Sequence, residues 1–411
     1  MADSIRAGIQ PSRKASADCR VAEKLSKIKI DQGIEKYEST GSMKNIFVGL
    51  ALGIFLLGWG SAAVFGAEAP AAIKKPVVKI GVILPLTGSM SDIGEDVRDV
   101  MLMYKDRHPE AKDIKLIFED DQSTPKYAAA AAQKLIAFDK VDGLISFYGY
   151  GGHAVASIAE YKHVLHFGIT LDRDVAKGSY SYALTPSPES HAKIMSEALA
   201  ALGYKKAGLL AARSQGPLKL SAALKDALLQ KGIQVFEMSV LTDERDLRPV
   251  LLKLEEQKCD AWVAINYPPQ SDIFLTQYQQ WREKTPLTAL ESFSYTTDKK
   301  LVEGRWYVVC PLPSDEFQTA FSKRFHKDLI PEALVGYDVL KIFSEAFVSA
   351  NGDPVKAKEY LDNLKTAEGE GGHYTVAGRF FDSPTILAKM VKGKPKEITL
   401  EEIKSEAGKG R

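Results

Sequence analysis

From Val77 onward, short apolar runs alternate with stretches whose apolar residues recur every three or four positions. The run at 77–84 predicts a buried strand, closed by Pro85 and Thr87-Gly88. Residues 92–108 then read as a helix with Val97, Val100, Met101 and Tyr104 on one face. Further strands are predicted at 114–119, 141–147 and 164–169. Between the first two of these lies an alanine-rich helix at 126–138, with a start signal in Ser123, Thr124 and Pro125. The second half repeats the alternation, with strands at 207–212, 233–240, 261–266, 287–291 and 306–309. Its helices are predicted at 189–202, 217–230, 246–257 and 271–282. Strands that are apolar throughout and alternate with helices argue for parallel sheets covered on both faces. Two such sets predict an α/β protein of two doubly wound lobes. Sheets of this kind bind ligands beyond the carboxyl ends of their strands. That rule points to residues 85–95, 148–154, 168–175, 213–218, 266–270 and 291–297.

The first 75 residues follow a different pattern. Residues 1–42 are polar and mixed in charge, and then Met43-Lys44-Asn45 leads into an apolar run from Ile46 to Phe65. A basic start, an apolar stretch and an exit rich in Ala and Gly describe a secretory signal peptide at 43–67. A transmembrane anchor is the alternative, since about 20 apolar residues can span a bilayer. No basic stop-transfer cluster follows, which favours cleavage. A cut after Ala67 is expected, with Ala63 as the other candidate. Residues 1–42 have no place ahead of a signal, so the expectation is that Met43 is the true start and the preceding stretch an artefact of start assignment. The mature chain is then expected in the periplasm.

Composition narrows the function classes. The 411 residues give a soft prior of roughly two to three domains. With 45% hydrophobic and 26% charged residues, most of the chain must be packed rather than disordered. The 54 basic residues nearly cancel the 53 acidic ones, so no net field draws the chain to nucleic acid. Cys19, Cys259 and Cys310 are too far apart for a CxxC zinc or redox motif.

Candidate chemistry centres on the loop Tyr148-Gly149-Tyr150-Gly151-Gly152-His153, which follows a predicted strand and precedes a predicted helix at 154–161. Glycines allow close backbone approach, and exposed amides at a helix start attract an anion. No Lys-Ser or Lys-Thr follows, which argues against a phosphate-binding P-loop. Taken alone, the loop reads equally as a tight turn; its two tyrosines favour a small-molecule cleft. Glu160, His163 and His166 are spaced three apart, not in the zinc-helix pattern, and read as surface or core residues. No G-x-S-x-G elbow occurs, and no nucleophile finds a base. The sequence offers a cleft without catalytic apparatus, so no enzyme, cofactor or metal is expected.

These residues also carry a resemblance. Lys79-Ile80-Gly81-Val82-Ile83-Leu84-Pro85-Leu86-Thr87-Gly88, followed by Gly94, resembles the opening of type I periplasmic substrate-binding proteins. More narrowly, it resembles the branched-chain amino acid (Leu/Ile/Val) binding group of ABC importers. Glu119-Asp120-Asp121-Gln122-Ser123-Thr124-Pro125, the segment Val141-Asp142-Gly143-Leu144-Ile145 and the late Gly336-Tyr337-Asp338 are similar to further signatures of that group. The likeness runs from about Val77 to Lys394 in consistent order. It implies two lobes joined by a three-crossover hinge, with lobe one at 76–187 plus 313–370 and lobe two at 188–312 plus 371–400.

The resemblance also implies a receptor that captures a small molecule, an amino acid or related carboxylate or amide, and delivers it to an ABC permease in the inner membrane. A monomer is expected. A ligand sensor feeding a membrane signalling partner is the alternative. The ligand carboxylate would be held by the third-strand loop, here Gly149, Tyr150, Gly151, Gly152 and His153, and by Thr170, with Tyr148 a further ligand-binding candidate. Glu291 with Tyr267 beside it would meet an amino group, and Ser89 and Ser91 would supply the first-strand loop. Departures are plain. The family's serines are replaced at 150–153, and the loop from Gly168 to Arg173 is bulkier and charged. Ser214-Gln215-Gly216 stands where many members have Tyr-Gly. The pocket has been rebuilt, so leucine is only one candidate beside an aromatic acid, an amide or a urea.

Overall fold

The computed structural model describes residues 77–281 and 284–409; the expected signal peptide and the stretch ahead of it lie outside these. Five parallel strands open the fold: β1 (Val78–Leu84), β2 (Ile114–Asp120), β3 (Gly143–Phe147), β4 (Leu165–Ile169) and β5 (Ser181–Leu184). They lie in the order β2-β1-β3-β4-β5. A second set follows: β6 (Lys206–Ala212), β7 (Gln234–Val240), β8 (Ala261–Ile265), β9 (Leu287–Ala289) and β10 (Trp306–Val309). Its order is β7-β6-β8-β9, and a parallel bridge from Leu290 to Val308 brings β10 alongside. Both sets share one winding order, in which the reversal beside the first strand opens a crevice at the carboxyl ends.

Three crossings join the two lobes. They fall at 185–187 after β5, at 310–314 after β10, and at 383–385. The last lies beyond the expected boundary at 371. Strands β11 (Thr366–Gly369), β12 (Gly372–Ala377) and β13 (Phe380–Asp382) all extend the first sheet. Packing explains the shift: Phe380 and Phe381 pair in register with Ala183 and Leu184, and Phe381 packs at a tilt against Phe167, ring centroids 5.2 Å apart. Only β14 (Ile386–Val391) and β15 (Lys394–Glu397) belong with β10 in lobe two.

The helices bury the faces their spacing predicts. Val97, Val100, Met101 and Tyr104 of the helix Ser91–Arg107 are all in the core of lobe one. The alanine-rich helix Pro125–Lys134 starts on Thr124, whose hydroxyl accepts from the Tyr127 N–H, and ends in a wider turn, Leu135–Asp139. His166, fully buried on β4, lies 2.8 Å from Ser146 Oγ and 3.0 Å from Ser181 Oγ, linking three strands. Burial pushes it down to about 3, so it stays neutral. Among the described residues no helix is long and apolar enough to cross a membrane.

The late Gly336-Tyr337-Asp338 has a packing role. A Cβ at Gly336 would meet Val97 Cγ1 at 2.8 Å, so only glycine lets the helix Leu334–Ser349 approach Ser91–Arg107. Tyr337 packs edge-on to Tyr104 and accepts or donates a 2.9 Å bond with His108 Nε2. Asp338 accepts from Glu370 N–H (2.7 Å), Gly371 N–H (2.8 Å) and the Tyr374 hydroxyl (2.5 Å), and so ties the β11–β12 hairpin to the helix. Asp338→Ala would strand two buried donors, the Gly371 N–H and the Tyr374 hydroxyl, at a cost of about 2 kcal/mol or more. Urea unfolding should show that loss, and limited proteolysis should open the hairpin first. An unchanged midpoint would remove Asp338 from this role.

Candidate ligand-binding cleft

Two residues leave their strands in the left-handed region that non-glycine side chains rarely adopt: Tyr148 after β3 and Glu291 after β9, both at φ 58°. Strain of this kind persists only where the surroundings over-determine it, and it concentrates at functional sites. Both side chains line one cavity of about 500 Å³ between the lobes. Lobe one contributes Ser89, Tyr148, Gly149, Tyr150, Thr170 and Glu332 to its wall; lobe two contributes Gln215, Tyr267, Gln270, Glu291 and Tyr295. The tyrosines form a continuous aromatic surface. Tyr148 lies 6.0 Å from Tyr150 and 6.2 Å from Tyr267, which meets Tyr295 edge-on at 5.0 Å. Tyr150 also donates to Asp121 Oδ1 at 3.3 Å.

The floor holds two acids in contrasting surroundings. Glu291 Oε2 accepts from the Tyr267 hydroxyl at 2.8 Å, and Oε1 lies 3.0 Å from Nε2 of the fully buried His191. Nδ1 of that ring sits 2.9 Å from the Ser187 carbonyl, which only a donor can satisfy. With Nδ1 donating to that carbonyl, Nε2 faces the Glu291 carboxylate, an arrangement that favours the protonated ring. Burial alone would push Glu291 up and His191 down. Their mutual attraction outweighs it, holding Glu291 below the usual carboxylate range and His191 above the usual imidazole range. Glu332 has no such partner. It is 7% exposed, and neither carboxyl oxygen makes a hydrogen bond. Burial, reinforced by the Glu291 charge, pushes it up to about 8.

A polar clasp crosses the mouth. Asp172 of lobe one takes Lys219 Nζ at 2.5 Å and the Gln215 side-chain amide, both from the helix Gln215–Gln230 of lobe two. His153 Nε2 closes on the same carboxylate at 2.8 Å, and Lys219 reaches Asp174 at 3.5 Å. Burial opposes the charge on Asp172, but Lys219 and His153 outweigh it and hold the carboxyl below its usual range.

Two parallel-stranded lobes with one winding order, joined by three crossings and enclosing a cavity at their strand ends, form a recognisable architecture. The sequence profile described as periplasmic binding protein matches residues 77–385. The chain belongs to that family.

Among solved structures, it is similar to a leucine-binding protein from Thermotoga maritima. The TM-score is 0.72 at 20% identity, covering 79% of this chain and 98% of that one. An ABC-transporter solute-binding protein from Rhodopseudomonas palustris, in complex with 3,4-dihydroxybenzoic acid, gives 0.70 at 20% identity over 78% and 95%. A branched-chain amino acid transporter binding protein from Streptococcus pneumoniae, in complex with isoleucine, gives 0.70 at 18% identity over 78% and 98%. No curated protein sequence matches the chain. At these identities the likeness carries the periplasmic-binding-protein fold, type I, and nothing finer.

Within this periplasmic binding protein, the residues singled out from sequence divide. Ser89, Tyr148, Tyr150, Thr170, Tyr267 and Glu291 line the cavity; Ser91, Gly151, Gly152 and His153 do not. The reason is a boundary. The helix expected at 154–161 begins at Tyr148, so the glycines form its first turn instead of a ligand loop. A Cβ at Gly152 would press to 3.1 Å on Val175, which makes it a packing glycine. Ser91 likewise opens its own helix, and His153 turns to the clasp. The strand-end rule had flagged the loops of Gln215, Gln270 and Tyr295. Glu332 lies in the turn Pro331–Ala333, after no strand, and nothing in its sequence setting marked it.

Glu291→Gln leaves an imidazolium buried without a counter-charge, and breaking such a pair costs about 3 kcal/mol or more. The pH profile has a defined sign. The raised His191 contributes stability below its unfolded value near 6.5 that is lost as pH rises through the folded value. The lowered Glu291 contributes stability above its unfolded value near 4.5 that is lost as pH falls through the folded value. The denaturation gap between wild type and Glu291→Gln should therefore be widest at about pH 5–6 and close in alkali. A gap independent of pH would refute the ion pair.

Proposed function

We propose that this chain is the extracytoplasmic receptor of an ABC importer, and that it captures an amino acid or a related small carboxylate or amide between its lobes. One observation carries the reading: a single cavity of about 500 Å³ walled by residues from the strand ends of both lobes. That volume suits a small molecule, and an apolar aromatic wall with a few convergent polar groups is the usual make-up of such sites. Gly149 and Tyr150, in the first turn of the helix Tyr148–Lys162, put unsatisfied backbone N–H groups at the wall, where the helix dipole favours a carboxylate. The relatives that hold isoleucine and dihydroxybenzoate support a ligand of this size.

Closure supplies the signal. A ligand shifts an open–closed equilibrium only through its preference for the closed form, and here it would touch both lobes only when they are closed. The Asp172–Lys219 clasp links the two lobes and adds to the same state.

Mass spectrometry of molecules released by denaturing the purified protein, followed by titration of whatever is found, tests the reading. One bound small metabolite per chain is expected, with compaction in small-angle scattering on adding it back. A protein that binds none of the metabolites offered and never compacts would sink it. In the same assay Lys219→Ala should weaken binding about two- to fivefold, because a partly exposed ion pair contributes up to about 1 kcal/mol. Added salt should erase that difference.

A further inference from the structure

The cavity wall carries buried polar atoms with no hydrogen-bond partner: the Tyr148 hydroxyl, Gln270 Nε2 and both oxygens of Glu332. Buried polar groups are almost always satisfied, so several orphans on one wall mark where a ligand's polar atoms belong. Glu291 is not among them. Its two oxygens are engaged by Tyr267 and His191, and its charge is already balanced. Glu332 has no counter-charge on the wall. Lys299, whose charge bears on Glu332, directs Nζ to the Ser294 carbonyl at 2.6 Å and does not line the cavity.

We propose that the ligand carries a protonated amine, and that Glu332 with the Tyr148 hydroxyl takes it while Gln270 Nε2 donates to an oxygen of the same ligand. This rests on the receptor reading above and moves the amine from Glu291, its expected partner, to Glu332. The charge balance selects the amine. An anionic ligand without one would stand beside the Glu291 carboxylate and Glu332 with no basic side chain among the described residues in the depth of the cavity; Arg245, the only basic residue among the described residues on the wall, is exposed at its rim. A cationic nitrogen instead supplies the missing partner.

A proton readout follows. The groups that face Glu332 are Glu291, Lys299, Cys310 and the tyrosines Tyr148, Tyr267, Tyr295 and Tyr307. Burial and the Glu291 charge keep the carboxyl protonated in the empty cavity, with a value of about 8. An incoming ammonium ionises it, so binding releases a proton. Affinity should rise about tenfold per pH unit up to about pH 8 and then level off.

The test is titration calorimetry of the purified protein with two matched pairs: L-leucine against 4-methylpentanoate, and L-phenylalanine against 3-phenylpropanoate. Running it in two buffers of different ionisation enthalpy counts the protons released. In at least one pair the amine should bind about tenfold tighter or more, with proton release. Glu332→Gln should lose that preference and the proton release together, while the desamino acid binds as before. Circular dichroism and the thermal midpoint check that the isosteric variant is folded. Tighter binding of a desamino acid, or a preference that survives in Glu332→Gln, overturns the assignment and leaves the receptor standing. Silence from all four compounds at millimolar concentration overturns both.

Discussion

A carboxylate cannot stay ionised in an apolar interior without a partner, and Glu291 meets that requirement through His191. Both partners lie in lobe two. His191 sits in the first turn of the helix that follows the first crossing, and Glu291 leaves the strand just before β10. Each fixes the other: the Ser187 carbonyl sets the ring, the ring sets the carboxylate, and the carboxylate sets the Tyr267 hydroxyl. A residue held from three sides can keep a left-handed backbone, which explains why φ 58° is tolerated there. The floor is therefore built before any ligand arrives, and so is its charge, which sums to zero at this pair.

The fold was legible wherever burial on both faces imposed a continuous apolar run. All ten parallel strands except β5 stand within a residue or two of the positions read from hydrophobic pattern, and the helical face of Val97, Val100, Met101 and Tyr104 is the buried one. Strand β5, Ser181–Leu184, escaped because it is four residues long and its pattern is too short to register. The lobe boundary failed at 371 for a different reason. The segment from Thr366 to Asp382 holds lobe one through register with β5 and through Asp338, and neither contact leaves a local trace in the sequence.

The site was half legible. The rule that ligands meet strand ends located the loops of Tyr148, Thr170, Tyr267, Gln270, Glu291 and Tyr295 without any knowledge of their side-chain directions. It failed at Gly151, Gly152 and His153 because a glycine cluster has two physical uses, close approach to a ligand and close approach to another element. The tight contact of Gly152 on Val175 shows that packing took precedence there. It was silent on Glu332, which reaches the cavity from a short turn brought in by the second crossing. A side chain delivered by tertiary structure alone has no periodicity to betray it.

Two acids in one cavity, pushed in opposite directions by their neighbours, divide the labour between structure and selection. The one with a counter-charge is held below the usual carboxylate range and is committed to the floor; the one without is raised and remains open to exchange a proton for a ligand's charge. On the proposed assignment Glu332 makes the choice, because a buried acid that is neutral without ligand gains a counter-charge only from an ammonium.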